Sequence, residues 1–187
     1  MASTLEKQYQ KKTDKEHILD NPDTYIGSIE NVNGESYVFQ DGKVKSKVID
    51  FNPALFKLFD EGIVNCRDHV IRMNTLKQTI PETDLVTDIN VTIDNNKITM
   101  TNNGNGIDVE KHPTYDVWIP ELIFGHLRTS TNYNKDEEKI TGGKNGFGFK
   151  LVLIWSTYGR IETVDKVRGL KYSQVFENNL DVIHKPS

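Results

Sequence analysis

The sequence predicts an α/β fold. Residues 53–74 repeat apolar positions at about 3.6-residue spacing, the mark of a long amphipathic helix. Asp41-Gly42 marks a hairpin within residues 37–51, Ile89, Val91 and Ile93 alternate with polar residues as do Ile98 and Met100, and residues 161–164 with 170–176 read as a final strand pair. Between these lies a glycine-rich stretch, Thr141-Gly142-Gly143-Lys144-Asn145-Gly146-Phe147-Gly148-Phe149-Lys150, which runs straight into Leu151-Val152-Leu153-Ile154-Trp155. Glycine lets backbone N–H groups approach a ligand, and a helix opening there adds the positive end of its dipole, which suits a polyphosphate. No Gly-Lys-Ser/Thr triplet is present, so this is not the usual P-loop.

The elements follow in chain order. Residues 1–14 are polar and basic and read as an arm that orders against something else. His17-Ile18-Leu19-Asp20-Asn21-Pro22 reads as a short helical turn stopped by proline. Asp41-Gly42 is a strong hairpin signal between Tyr37-Val38-Phe39 and residues 44–51. In the long helix, Pro53 suits the first turn. Leu55, Leu58, Phe59, Gly62, Ile63, Cys66, Val70 and Met73 share one side, while Lys57, Glu61, Asn65, Asp68 and Arg72 share the other. Residues 76–87 read as a loop around Pro81. Asp94-Asn95-Asn96 turns a second hairpin, and Asn102-Asn103-Gly104-Asn105-Gly106-Ile107 follows it directly. Residues 118–127 read as a short helix, residues 128–140 as a polar loop, and 161–164 with 170–176 as a final strand pair. The remainder reads as a polar tail with no closing element.

Composition narrows the class. A chain of 187 residues, 36% of them hydrophobic, can bury one real core. No apolar run approaches the roughly 20 residues of a membrane span, and the N-terminus is not a secretory signal. One cysteine, Cys66, excludes an internal disulfide and fits a reducing compartment. A net charge of −4 argues against broad electrostatic binding of nucleic acid by this piece alone.

Four clusters carry candidate chemistry. Glu61 and Asn65 lie one helical turn apart, where a carboxylate can deprotonate a water and an amide oxygen can ligate Mg²⁺. The same face is also what an amphipathic helix turns to solvent. Asn102-x-Gly104-x-Gly106 ends a strand, and its amide could meet an adenine edge; it equally reads as a surface turn. Ser130-Thr131-Asn132 offers hydroxyl and amide groups to phosphate or ribose, or is an ordinary polar loop. The fourth cluster is the glycine-rich stretch itself.

In this order and spacing the four blocks resemble the GHKL ATPase superfamily of gyrase, the Hsp90 chaperone, histidine kinases and MutL. Further blocks narrow the resemblance to the eukaryotic-type DNA topoisomerase II family. They are Tyr9-Gln10-Lys11, Glu16-His17-Ile18-Leu19, Pro22-Asp23-Thr24-Tyr25-Ile26-Gly27-Ser28, Leu58-Phe59-Asp60-Glu61, Pro120-x-Leu122-Ile123-Phe124-Gly125 and Thr141-Gly142-Gly143. The likeness covers residues 9–164.

The resemblance implies a GHKL (Bergerat) fold: a mostly antiparallel, mixed sheet covered on one face by helices, with an N-terminal strap and a glycine-rich ATP lid. It implies a strap over residues 1–28 and an ATPase domain over residues 29–187, incomplete at its C-terminal end. Glu61 resembles the general base and Asn65 the Mg²⁺ ligand. Asn102 takes the adenine-contacting place, and Ser130, Thr131 and Asn132 those of the ribose and phosphate contacts. Gly143, Lys144, Asn145, Gly146, Phe147, Gly148, Phe149 and Lys150 resemble the lid around the triphosphate, and Tyr9 a strap residue reaching the partner subunit's nucleotide.

The implied cofactors are ATP and Mg²⁺. The implied partners are a second copy of the chain, joined at an N-terminal gate on ATP binding, and double-stranded DNA through the full-length enzyme, with no membrane. The implied location is the nucleus, or a cytoplasmic viral factory or virion. The chain is expected to stop before a transducer domain whose lysine meets the γ-phosphate, so the fragment alone should turn over little ATP.

Several positions depart from the family pattern. Gly62 stands where a larger apolar residue is usual, Cys66-Arg67 replaces a small pair, Lys144 stands for arginine, Phe147 for tyrosine, and Phe149 for a small residue. None removes a catalytic group.

Overall fold

The structure is a computed structural model and describes residues 11–127 and 147–187. The chain divides into two compact units, Met1–Lys57 and Leu58–Ser187.

In the first unit, helix α1 spans Asp14–Asp20 and α2 spans Pro22–Tyr25. Thr13 and Glu16 form a reciprocal capping box: Glu16 N donates to Thr13 Oγ1 at 3.2 Å, and Thr13 N donates to Glu16 Oε2 at 2.7 Å. Pro22 does more than stop α1. It occupies the first turn of α2, where its missing N–H costs nothing. Strands β1 (Val32–Gln40) and β2 (Lys43–Phe51) form the expected antiparallel hairpin, with Asp41 and Gly42 both at positive φ in the turn. Asn52 then caps the next helix by accepting from Leu55 N at 2.9 Å.

That helix, α3, runs from Pro53 to Lys77, three residues beyond the predicted end. In the second unit, β3 (Ile89–Asp94) pairs with β4 (Lys97–Asn102), with Asn95 at positive φ in the turn. Helix α4 (Ile119–Gly125) and helix α5 (Gly148–Ile154) precede strands β5 (Tyr158–Asp165), β6 (Leu170–Glu177) and β7 (Val182–Ile183). Leu151, Leu153, Ile154, Tyr172 and Phe176 are buried and supply the core of this unit. Buried Gln174 is saturated: it accepts from Tyr172 Oη at 2.7 Å and donates to Glu121 Oε2 at 2.7 Å and to His184 O at 2.9 Å.

Two features refine the sequence reading. The polar tail does close on something. His184 N donates to Val175 O, and Ser187 exchanges two backbone hydrogen bonds with Ser173, so the tail runs along β6. Among the described residues the strands form three antiparallel sheets: β1-β2, β3-β4 and β5-β6-β7. After β4, the segment 103–109 crosses to β5 without joining its ladder. Side chains of β5 take its N–H groups instead: Ile107 N donates to Thr163 Oγ1 at 2.8 Å, and Val109 N to Asp165 Oδ2 at 2.9 Å.

Gly106 makes this crossing possible. A Cβ there would overlap the Val164 carbonyl oxygen and stand 2.6 Å from Thr163 Oγ1. Gly106→Ala is therefore expected to lower stability by about 3 kcal/mol, read as a shift in the urea midpoint at unchanged slope.

Candidate active site

Glu61 and Asn65 lie one turn apart on α3. Asn65 Nδ2 donates to the Glu61 carbonyl oxygen, leaving the amide oxygen, the atom a hard cation prefers, off the helix backbone. The start of α5 packs directly against this pair. A Cβ on Gly148 would stand 3.2 Å from Glu61 Oε2 and 3.8 Å from Asn65 Nδ2. A larger residue there would require the Glu61 carboxylate to shift by a few tenths of an ångström.

The glycine-rich stretch reads in the sequence as a loop through Lys150, but α5 already begins at Gly148. The first bond of that turn runs from Leu151 N to Phe147 O at 3.1 Å, so the N–H groups of Gly148, Phe149 and Lys150 precede it. Burial of Lys150 and Leu151 favours the helix over a solvated loop. Lys150 is only 3% exposed, and loss of hydration pulls its pKa down to about 8.

Two departures from the family pattern meet here. A Cβ on Gly62 would stand 2.7 Å from Met100 Sδ, 3.0 Å from Met100 Cε and 3.8 Å from Phe149 Cε2. The space beside residue 62 is thus filled by Met100 from β4, with Phe149 at van der Waals distance. Phe149 also meets Phe124 of α4 edge-on, with ring centroids 5.5 Å apart. Its side chain serves packing, while its backbone belongs to the first turn of α5.

Met100 leads to the other end of the site. It turns toward α3, and Asn102, two residues on, lies on the same face of β4. Asn102 and Asn103 divide their roles. Asn103 Oδ1 accepts from Thr87 N and Asp88 N, and its Nδ2 donates to Thr87 Oγ1 and Asp88 Oδ2, so it fastens the turn. Asn102 is exposed and donates Nδ2 to Asn103 O at 2.9 Å. It stands at the end of β4. Tyr9, Ser130, Thr131, Asn132, Gly143, Lys144, Asn145 and Gly146 lie outside the described residues. Among the described residues no cluster of three or more His, Cys, Asp or Glu could hold a metal ion. A cation here would rely on Asn65 together with ligand oxygens, which suits Mg²⁺ travelling with a triphosphate.

The model of the histidine kinase-, DNA gyrase B-, and HSP90-like ATPase family matches residues 52–178. The chain belongs to that family. An ATPase domain of this family binds ATP.

Among similar proteins, the DNA topoisomerase 2 of Candida glabrata is 43% identical over 185 residues, 98% of this chain and 13% of the relative. That of Acanthamoeba polyphaga mimivirus is 45% identical over 183 residues, 95% of this chain and 14% of the relative. The chain therefore spans only a small fraction of these relatives' length. Solved structures agree on the GHKL fold. The ATPase region of Saccharomyces cerevisiae topoisomerase II has TM-score 0.84 and 41% identity, covering 97% of this chain and 46% of that one. The ATPase and transducer domains of DNA topoisomerase II from Balamuthia mandrillaris have TM-score 0.87 and 40% identity, covering 99% and 46%.

Sequence reasoning missed the supports of this ATPase site. His69 Nε2 bonds Asn105 O at 2.6 Å; burial lowers the histidine's pKa, outweighing that bond. Thr163, Asp165 and Arg168 hold the segment after Asn102. Their partners lie 36 to 60 residues away along the chain, beyond the reach of any local pattern.

The Gly62–Phe149 exchange can be tested directly. Gly62→Leu alone is expected to cost about 1–3 kcal/mol by overpacking, and Phe149→Ala alone about 3 kcal/mol by leaving a cavity. The double variant should lose less than the sum, by at least about 1 kcal/mol of coupling in urea denaturation. Strict additivity would separate the two residues.

Proposed function

We propose that this chain is the ATP-binding and hydrolysing N-gate segment of a type II DNA topoisomerase. ATP binding joins two copies at the gate and captures a DNA duplex for passage through a double-strand break made by a cleavage core. Residues 1–28 serve as the strap, with Tyr9 reaching the partner's nucleotide, and residues 29–187 as the ATPase domain. One observation supports this most: Glu61 and Asn65 stand against the first turn of α5, in a chain over 40% identical to several DNA topoisomerase 2 proteins. Fungal, plant and mimiviral relatives support a nuclear site, or a viral factory or virion. No helix among the described residues is long and apolar enough to cross a membrane.

The residues divide the work by chemistry. Asn102 accepts from the adenine amine. Ser130, Thr131 and Asn132 contact ribose and phosphate, and Gly143 to Lys150 wrap the triphosphate with N–H groups and lysine charge. Asn65 would hold Mg²⁺ through its amide oxygen. The ion neutralises phosphate charge when bound. Glu61 orients the attacking water and takes its proton at a carboxylate oxygen. Gly148 lets the base reach this position without steric conflict.

Glu61→Ala in the full-length enzyme is expected to cut ATP turnover by roughly 100- to 10,000-fold while leaving nucleotide affinity within a few-fold. Wild-type turnover in a coupled assay would remove Glu61 from the base role. DNA relaxation should vanish with it.

Lys150 sets a pH signature. Its folded pKa of about 8 lies below the ordinary lysine value, so the charged form is disfavoured in the free protein. That penalty is fully present below pH 8 and fades as pH rises toward the unfolded value near 10.5. A bound triphosphate favours the charged form, so nucleotide binding at pH 8 should draw up about half a proton. Calorimetry in buffers of different ionisation enthalpy reads this uptake. Lys150→Met should abolish it and weaken ATP binding roughly tenfold or more.

A further inference from the structure

We propose that Asp165, acting with Thr163 and Arg168, is a positioning residue that presets the base-reading end of the nucleotide site; this rests on the reading of Asn102 as the adenine contact. The segment after Asn102 contains Gly104 and Gly106, which lose more backbone freedom on ordering than any other residue type. Something must hold it if the base is to meet a formed surface. The segment makes no ladder with β5, yet Val109 is buried, and a buried N–H without a partner is costly.

The side chains of β5 supply the acceptors. Thr163 Oγ1 takes Ile107 N, and Asp165 Oδ2 takes Val109 N. Asp165 is 4% exposed and fully used: Oδ1 accepts from Arg168 N at 3.0 Å, and Oδ2 also accepts from Arg168 Nη1 at 2.8 Å. The guanidinium then reaches back to the segment, donating to Asp108 Oδ1 at 2.7 Å and Glu110 Oε2 at 2.5 Å. One cation thus gathers three carboxylates, Asp108 in the segment, Glu110 just after it and Asp165 at the end of β5, and without it they repel. The other side of the segment is tied as well: Asn105 exchanges hydrogen bonds with the backbone of Asp84. A backbone fixed from both sides before ligand arrives avoids ordering loss at binding, and the gain falls on the base rather than on the phosphates.

None of these three residues touches the reacting atoms, so the readout must separate positioning from simple stability. The experiment measures ATP and ITP dissociation constants and steady-state kinetics on the full-length protein, beside melting temperatures. ITP replaces the adenine amine with a carbonyl and leaves the triphosphate unchanged. Asp165→Asn places an amide N–H against either Val109 N–H or Arg168 N–H, so one donor loses its acceptor whichever way the amide turns. Its expected result is an ATP KM raised about tenfold, kcat within about twofold, and a reduced preference for ATP over ITP. Thr163→Val should move the same quantities in the same direction, and Thr163→Ser should restore them. Arg168→Gln, at a partly exposed side chain, gives a milder version should Asp165→Asn fail to fold. A lowered melting temperature with the ATP-to-ITP ratio unchanged in all these variants would overturn the inference and leave the nucleotide site standing. Wild-type protein that binds neither nucleotide would overturn the site and this inference together.

Discussion

The site depends on room left where side chains are missing. Helix α3 carries the Glu61 carboxylate, α5 carries first-turn N–H groups, and β4 carries the Asn102 amide at its end. They converge because Gly148 brings α5 against Glu61 and Gly62 admits Met100 from β4. A methyl group on Gly148 would press on the Glu61 carboxylate at 3.2 Å, so one of them would have to give by a few tenths of an ångström. Glycine weakens a helix interior by about 1 kcal/mol relative to alanine. In α3 that loss is set against contact with a strand and a second helix, which helix propensity alone cannot weigh.

Much of this was legible in the chain because it is local. The Asp41-Gly42 turn, the Asn95 turn and the long amphipathic helix each follow from residues within one element. Glu61 and Asn65 share a face through spacing alone. The supports of the site were not legible, since Asp165 meets Val109 and Arg168 meets Asp108 and Glu110 only once β5 folds back. The start of α5 was misjudged for a related reason. Glycine-rich composition favours a loop, and burial of Lys150 and Leu151 overrides it. The division of labour between Asn102 and Asn103 also escaped the sequence, because nothing in two adjacent identical residues says which one faces Thr87 and Asp88.

Two parts of this region are built differently. Beyond Asn102, backbone N–H groups are already spent on side chains, so the shape there is set by hydrogen bonds within the protein. At the start of α5, a helix turn and a buried lysine hold charge that is poorly solvated. A fixed surface favours selectivity, since it rejects what does not match it. A poorly solvated cation favours a large response to an anion, which relieves a penalty already present.

Gly62 and Phe149 lie on different elements far apart in the chain, yet both border the space beside α3 that Met100 occupies. An unbranched thioether can swing into a gap or out of it. The meeting of α3, β4 and α5 can therefore absorb a change of volume at residue 62 or 149 that a stiffer, branched side chain at residue 100 would resist.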